Sequence, residues 1–573
     1  MIGGLRPSLP ARELILPEAM AGLSGAIASV PDGMASAILV GVNPVLGLYA
    51  SFTGRLAGGL TTSTQRMIVT TTSAAALAAG SALAPVAPGE RPAAMVLLTL
   101  IAGALIVGAG ILKLGRYTRF VSNSVMTGFL SGVAINIILG QIPNLTGATA
   151  VGPTSLAKAF DVLTNPGRIE PASLFVGLFA ILLMVVVSAS RHSIVASLLA
   201  IVLPTLVVSL TGAEVARVSD IGAIPSGLPL PQLPDLSAIS LTLITGGLAV
   251  AAIVLVQGAG VAESAPNLAD EPSSANQDFI AQGIGNLASG LFGGQPVGGS
   301  VGMTALNVSS GARTRWAAVF SGLWLLVILL ALGGLVGQVA EPTLSAILIV
   351  AGLGSLRPQA VLTILRTGPV SQIAFVATFL ATLLLPVAEA VFVGVALSII
   401  LQLNREALDL RVVELELRED GHLVERPGPA RLGNRQITAL DVYGSLYYAG
   451  ARTLQAQLPD PSGVDAPVVI IRLRGRTDLG STSVVVLSDY AGRLEAAGGR
   501  LYLSGLDPTL VGQLRRTGRL DPKDNVRVFL ADPVLGESSR AAYRDAQAWL
   551  ASLPGSAGES TDRPVDGPVD DAD

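Results

Sequence analysis

The chain has no cysteine and only two histidines, His192 and His422, among 573 residues. Disulfides and thiolate metal sites are therefore excluded, and two imidazoles are too few for a histidine-based metal centre. Charge is scarce as well: Asp, Glu, Lys and Arg make up 13% of the residues against 51% hydrophobic ones, a ratio unlike that of a soluble globule. The 36 basic and 40 acidic side chains leave a net charge of −4, which names no partner and gives no reason to expect nucleic acid. No Gly-Lys-Ser/Thr follows any glycine run, and no nucleophile, base and orienting group stand together. No enzyme and no cofactor are expected.

What the chain does have is apolar length. Windows such as Ala93–Leu112, Ala172–Ser190, Ile194–Gly212 and Trp316–Gly337 reach the roughly 20 residues that span a bilayer core. Hydropathy places about fourteen membrane segments between residues 18 and 403, several of them short or interrupted. Arg6, Arg12, Arg55, Arg66, Lys113, Arg116, Arg119, Arg191, Arg313, Arg315, Arg357, Arg366 and Arg405 then fall in gaps on the side of the N-terminus, which the positive-inside rule makes cytoplasmic. An even number of spans with both termini inside is expected, after a cytoplasmic N-terminus 1–17 in which no signal peptide is read. Much of the glycine, 65 residues, lies within the apolar windows, where small residues let helix backbones approach closely.

Past Asn404 charge becomes frequent and short β-type runs alternate with helical ones. Residues 467–473, 500–505 and 526–532 read as strands, and 481–499 and 537–553 as helices, which implies a soluble α/β domain over 404–553. The final 554–573 is Pro, Gly and acid, and is expected to be disordered.

Two interruptions of the apolar pattern stand out. "GGQPVGGSVG" leads into a short helix beginning near Gly299 or Ser300, and "TTSTQRMIVTTTSAAALAAG" leads into one beginning near Thr71–Ser73. Broken backbone at membrane depth survives only inside protein or beside a water-filled cavity. A loop between two full spans is one reading of the glycine run. Paired short segments in corresponding places of two halves favour the other, an inverted-repeat transporter whose half-helices aim free amides and positive dipole ends at an anion.

Carboxylates within spans are the next candidates. Asp32 lies in the first span after Pro31, Glu263 follows a long apolar run from Leu241, and Asn267, four residues on, is expected to share its helix face. Glu263 is read either as a proton-carrying group or as a residue marking the helix end in headgroup water. Glu389 is expected to face extracellular water between the last two spans.

The segment "LPEAMAGLSGAIASVPDGMASAILVGVNPVLGLYASF" resembles the opening of the SulP anion transporters, and "NQDFIAQGIGNLASGLFGGQPVGGSVGMTALNVSSGART" is similar to that family's central signature. The resemblance covers residues 18 to about 553. It implies a polytopic α-helical membrane protein with a uracil-permease-like 7+7 inverted repeat, core and gate domains, a cytoplasmic STAS domain, a homodimer and a place in the bacterial plasma membrane. It also implies an anion pocket between Thr71, Thr72, Ser73 and Gly298, Gly299, Ser300, Val301, with Glu263 at the family's position for coupling to a proton or sodium; Asn267 and Asp32, from their places in the spans, are the further coupling candidates. Met303 stands where many members carry arginine, and Thr71–Ser73 replaces the usual Gly-Pro-Thr, so proton-coupled symport of a small anion such as bicarbonate, sulfate or a dicarboxylate is expected. Sodium coupling, exchange, a channel or a membrane-tethered STAS sensor are the alternatives. In the STAS region Asp478 and Ser481 take the places of the family's acid and hydroxyl, with Ser481 either a phosphorylation site or a helix N-cap.

Overall fold

The computed structural model describes residues 10–116, 122–152, 154–190, 195–221, 230–264, 267–268, 273–385, 387–417, 423–520 and 525–554; some side chains inside helices, Glu263 among them, fall outside that description. The acidic stretch expected to be disordered lies outside it from residue 555 onward. Two compact units are present, Met1–Ile399 and Ile400–Asp573.

The first unit repeats one order of elements twice. It runs α1 (Arg12–Val40), α2 (Pro44–Thr61), the strand β1 (Val69–Thr71), α3 (Ser73–Leu83), α4 (Arg91–Ile111), α5 (Asn123–Thr146), α6 (Ser155–Thr164), α7 (Pro171–Ser188) and α8 (Ala196–Thr211). After the one-turn helix α9 (Val218–Ile221) come α10 (Leu241–Ser264), α11 (Ala275–Leu291), β2 (Val297–Gly299), α12 (Val301–Ser309), α13 (Trp316–Val336), α14 (Glu341–Ser355), α15 (Pro358–Thr367), α16 (Pro369–Leu384) and α17 (Val387–Leu408). The packing repeats with it: α1 lies on α13 as α10 lies on α4, and α5 on α16 as α14 on α7. Each pair exchanges the two halves, which is the signature of an inverted repeat. Leaving aside α6, α9 and α15, the helices make fourteen segments, two of them the short α3 and α12 that each follow a strand.

Local chemistry sets the boundaries. Asn43 caps α2 by accepting the Val45 N–H at 3.0 Å, and Pro44 occupies the first turn, where its missing N–H costs nothing. Helix α1 ends on Gly41, whose φ of 81° is the left-handed conformation that closes a helix. The turn brings α2 back against α1 so closely that a Cβ on Gly47 would sit 1.9 Å from the Gly33 carbonyl oxygen. Only hydrogen fits there.

The second unit is a six-stranded sheet of β3 (Arg411–Leu417), β4 (Leu423–Pro427), β5 (Ile437–Tyr443), β6 (Val468–Arg472), β7 (Arg500–Leu506) and β8 (Val526–Leu530). Its strand order is β4-β3-β5-β6-β7-β8, antiparallel through β5 and parallel beyond. The helices are α18 (Tyr448–Gln457), α19 (Ser481–Ala496), α20 (Pro508–Thr517) and α21 (Glu537–Ala551). Alternate strand residues serve two cores: Val469, Ile471, Leu501 and Leu503 pack with α18 to α20, while Val468, Ile470 and Tyr502 pack with Ala542 and Ala546 of α21. Burial on both faces explains why these strands read as continuous apolar runs.

Candidate functional site

The two interrupted stretches meet. Strands β1 and β2 pair antiparallel in the register Val69↔Gly299, Thr70↔Gly298, Thr71↔Val297, and from their ends α3 and α12 leave. Each half-helix starts on a hydroxyl cap: Thr72 Oγ1 accepts from Ala75 N at 3.3 Å, and Ser300 Oγ accepts from Met303 N at 3.3 Å. The Ser73 and Ala74 amides of α3, and the Val301 and Gly302 amides of α12, have no intrahelical acceptor, as at any helix start, and donate to no other described residue. All four residues line one cavity of about 400 Å³.

A polar row on α11 makes such broken backbone tolerable in an apolar bundle. Asn286 accepts from Val297 N at 3.0 Å and donates to Val297 O at 2.6 Å; Gln282 accepts from Gly299 N at 2.9 Å; Ser289 donates to Gln295 O at 2.6 Å. These residues follow Asp278 at helical spacing, and Asp278 is buried at 1% exposure. Its carboxylate takes the Ser63 N–H at 2.7 Å, the Thr64 N–H at 3.0 Å and the Thr62, Ser63 and Thr64 hydroxyls, fixing the turn that feeds β1. Gly298 and Gly299 lie behind the cavity wall, where a Cβ would stand 3.2 Å from Val254 Cγ1 and 3.3 Å from Gly258 Cα of α10. Glycine there lets α10 press against the strand.

The cavity collects Asp32, Thr71, Thr72, Ser73, Ser300 and Val301 of the expected residues. It also takes Leu130, Val133, Ala134 and Ile137 from α5, and Ala351, Gly354 and Ser355 from α14, so its far wall belongs to helices outside the half-helix pair. Helix α1 runs on through Pro31, and Asp32 accepts no hydrogen bond from any described residue. Glu263 sits in the last turn of α10, and its side chain lies outside the described residues. Asn267 departs from expectation: it lies outside any helix, so no helix face is shared with Glu263. Instead Asn267 accepts from Gln65 N at 2.9 Å and donates to Ser63 O at 3.0 Å, bracing the turn before β1.

Three participants escaped the sequence reading. Gln257 of α10 lines the cavity with its Oε1 buried and unpartnered. Arg357 lines it too, from an exposed position just past α14, and supplies a positive charge that Met303 does not. Nothing in the sequence separates Arg357 from Arg366. Arg55, assigned above to a gap between spans, is inside the bundle: it lies within α2 at 0% exposure and donates to the Ser29 and Ser321 hydroxyls. Its signal was present, a lone charge within "GLYASFTGRLAGG".

Residues 16–381, nearly the whole first unit, match the model of the sulfate permease family. The chain belongs to that family. Its relatives include the putative sulfate transporter YvdB of Bacillus subtilis, 24% identical over 87% of this chain and 93% of that protein. The probable sulfate transporter Rv1739c of Mycobacterium tuberculosis is 28% identical over 68% and 70% of the two chains, and human solute carrier family 26 member 6 is 25% identical over 81% and 65%. The solved structure of SLC26A9 superposes with a TM-score of 0.83 at 18% identity, covering 97% of this chain and 94% of that one. The transmembrane domain of the cyanobacterial bicarbonate transporter BicA superposes at 0.59 with 21% identity, covering 68% and 98%. As a member of the sulfate permease family the chain is a multi-pass anion transporter and not an enzyme. Its C-terminal α/β unit fits a STAS domain. In that unit the cap of α19 is Gly480 rather than Ser481, which is the first helical residue and is exposed, as is Asp478.

Proposed function

We propose that the chain carries a small anion by proton-coupled symport with alternating access, the anion held between the starts of α3 and α12. The observation that carries this reading is the convergence of four acceptor-free amides, those of Ser73, Ala74, Val301 and Gly302, on one cavity. Two helix N-termini add the positive ends of their dipoles, and Thr71, Thr72, Ser73 and Ser300 add hydroxyls. Gly298 and Gly299 support the site from behind by holding β2 in place.

An anion entering this cavity meets the Asp32 carboxylate in its wall. Like charges in a low-dielectric space repel strongly, so proton uptake by Asp32 accompanies anion binding. Glu263, in the last turn of α10, is the second coupling candidate. The walls contributed by α5 and α14 are the gate surfaces against which the half-helix layer slides. Both termini are cytoplasmic, the membrane is the plasma membrane, and the working unit is a homodimer.

The test is uptake of labelled bicarbonate, sulfate and succinate into proteoliposomes under an inward proton gradient, an inward sodium gradient or neither. Acceleration by the proton gradient alone supports symport. Acceleration by sodium alone, or by neither gradient, replaces it with sodium coupling or with exchange and channel behaviour.

A further inference from the structure

A second cavity of the first unit, about 670 Å³, lies between α1, α2, α8 and α13 and shares no residue with the anion site. Its long walls are helix faces: Leu23 to Met34 of α1, Leu198 to Ser209 of α8 and Leu325 to Val336 of α13. Each stretch advances eleven residues, about 16 Å of helix, close to half of the 30 Å hydrocarbon core of a bilayer. Val202 and Leu206, at 47% and 50% exposure, leave one side open toward lipid. The walls are aliphatic apart from Thr205, whose hydroxyl accepts the Ala340 N–H at 3.2 Å. That contact sets the C-terminal ends of α8 and α13 side by side. The cavity therefore has an apolar end, at Leu23, Leu198 and Leu325, and a polar end, at Ser209 and Gln338.

The polar end carries charge. Arg217, half-buried in the link after α8, donates from Nη1 to Gln338 Oε1 at 2.8 Å. No carboxylate lies within ion-pair distance of its guanidinium among the described residues. Acids flank it all the same: Asp220 Oδ2 accepts the Arg217 N–H at 2.8 Å, the Glu341 N–H donates to Ala216 O at 2.8 Å, and Glu214 is exposed one turn earlier. One cation among three carboxylates repels a group that is only negative. A phosphate joined to an ammonium meets a partner for each sign.

We propose that this cavity binds one acyl chain of a phosphatidylethanolamine-type phospholipid from the leaflet on the side of Arg217, with the phosphate on Arg217 and the ammonium among Glu214, Asp220 and Glu341. Three properties together fix the occupant: the length of one leaflet, a lining that gives a water-soluble ligand no polar partner, and a mixed charge pattern at one end only. Helix α8 packs chiefly on α7, and α1 and α13 chiefly on each other and on α2, so the lipid chain bridges two groups of helices. The inference is independent of proton coupling at the anion site.

The experiment places the full chain in phosphatidylglycerol liposomes with a trace of one of two photoactivatable probes, phosphatidylethanolamine or phosphatidylglycerol, each carrying a diazirine at the end of one acyl chain. Adducts are mapped by mass spectrometry after illumination. The phosphatidylethanolamine adducts should concentrate on 23–34, 198–209 and 325–336, roughly fivefold above α7 and α16, which expose Phe175, Leu182, Ile373 and Leu380 outside this cavity. The phosphatidylglycerol adducts should spread evenly over the helices. Val202→Trp sets an indole in the cavity, and Arg217→Gln keeps a hydrogen-bonding group and loses the charge; both should abolish the concentration. Leu210→Trp, on α8 but outside the cavity, should preserve it.

Even labelling by the phosphatidylethanolamine probe overturns the inference, as does equal concentration of both probes or an Arg217→Gln protein that labels like wild type. A disulfide joining two copies through Leu206→Cys in most molecules, in a chain with no cysteine of its own, assigns the cavity to a second copy and overturns it too. If Val202→Trp fails to fold, the two probes on wild type and Arg217→Gln decide.

Discussion

Removing the Asn286 side chain tests how the broken strand survives in a membrane. Asn286 satisfies both the N–H and the C=O of Val297, at 3.0 and 2.6 Å, and is buried at 0% exposure. In Asn286→Ala both backbone groups lose their partner with no replacement among the neighbours. An orphaned buried polar group costs about 1–3 kcal/mol, so two cost about 2–6 kcal/mol, well above the usual effect of a point substitution. Asn286→Asp should be as damaging, because it keeps an acceptor for the N–H and sets a carboxylate against the carbonyl. The assay is thermal unfolding in detergent, read beside anion uptake, with Ser355→Ala on the opposite cavity wall as the comparison. The expected result is a clear drop in Tm for both Asn286 variants and loss of uptake. An Asn286→Ala protein within about 0.5 kcal/mol of wild type would refute the argument, since it would mean that water reaches the back of β2.

Further outcomes follow from other close fits. Thr72→Ala and Ser300→Ala each remove a helix cap and should cost about 1 kcal/mol of stability, with the double variant additive to within a few tenths unless the paired strands couple the two caps; thermal unfolding of the three proteins checks it. Gly47→Ala places a Cβ 1.9 Å from the Gly33 oxygen and should abolish a monodisperse gel-filtration peak, whereas Gly302→Ala, with nothing within 4 Å of its added Cβ, should leave the peak intact. In the α/β unit Asp507 caps α20, and the Thr509 hydroxyl and amide hold its carboxyl below the ordinary 3.8. A depressed folded value means stabilisation that is present above the unfolded value and lost as pH falls through the folded one. The protection factor of α20 against hydrogen exchange in the full chain should therefore fall as pH drops below about 4, and Asp507→Asn should flatten that dependence.

The inverted repeat was legible because each half-helix advertises itself: polar β-branched residues before an alanine run at Thr71–Ser73, glycine and proline before Ser300. The strand pairing was not, since three residues of Val-Thr-Thr and three of Val-Gly-Gly are too short to show a period of two. Asp32, Thr71 to Ser73, Ser300 and Val301 came together because they sit at or beside the breaks. Gln257 and Arg357 come from elements 40 or more residues away whose relation to the breaks is purely tertiary. Arg55 was misplaced because a hydropathy window treats one arginine in a short glycine-rich segment as an edge, while the structure satisfies it with two serines from neighbouring helices. Asn267 does not share the face of Glu263 for a local reason: it lies outside any helix and its side chain braces the turn before β1. In the α/β unit β6 to β8 were plain as two-sided apolar runs. The antiparallel strands β3, β4 and β5, where charged and apolar residues alternate or mix, were passed over.

The central claim is that a small anion sits on the free amides between α3 and α12. Gly302→Glu tests it most directly. Gly302 is the second residue of α12 and lines the cavity with open space around its Cα. A carboxylate near a helix N-terminus favours the helix, so the fold is kept while a fixed negative charge occupies the anion's place. At about 4 Å and an effective dielectric near 20, like unit charges repel by about 4 kcal/mol, roughly a thousandfold in affinity. The account predicts that Gly302→Glu retains its gel-filtration profile and Tm while uptake of bicarbonate and sulfate falls at least a hundredfold. Uptake within threefold of wild type would place the anion elsewhere and contradict it.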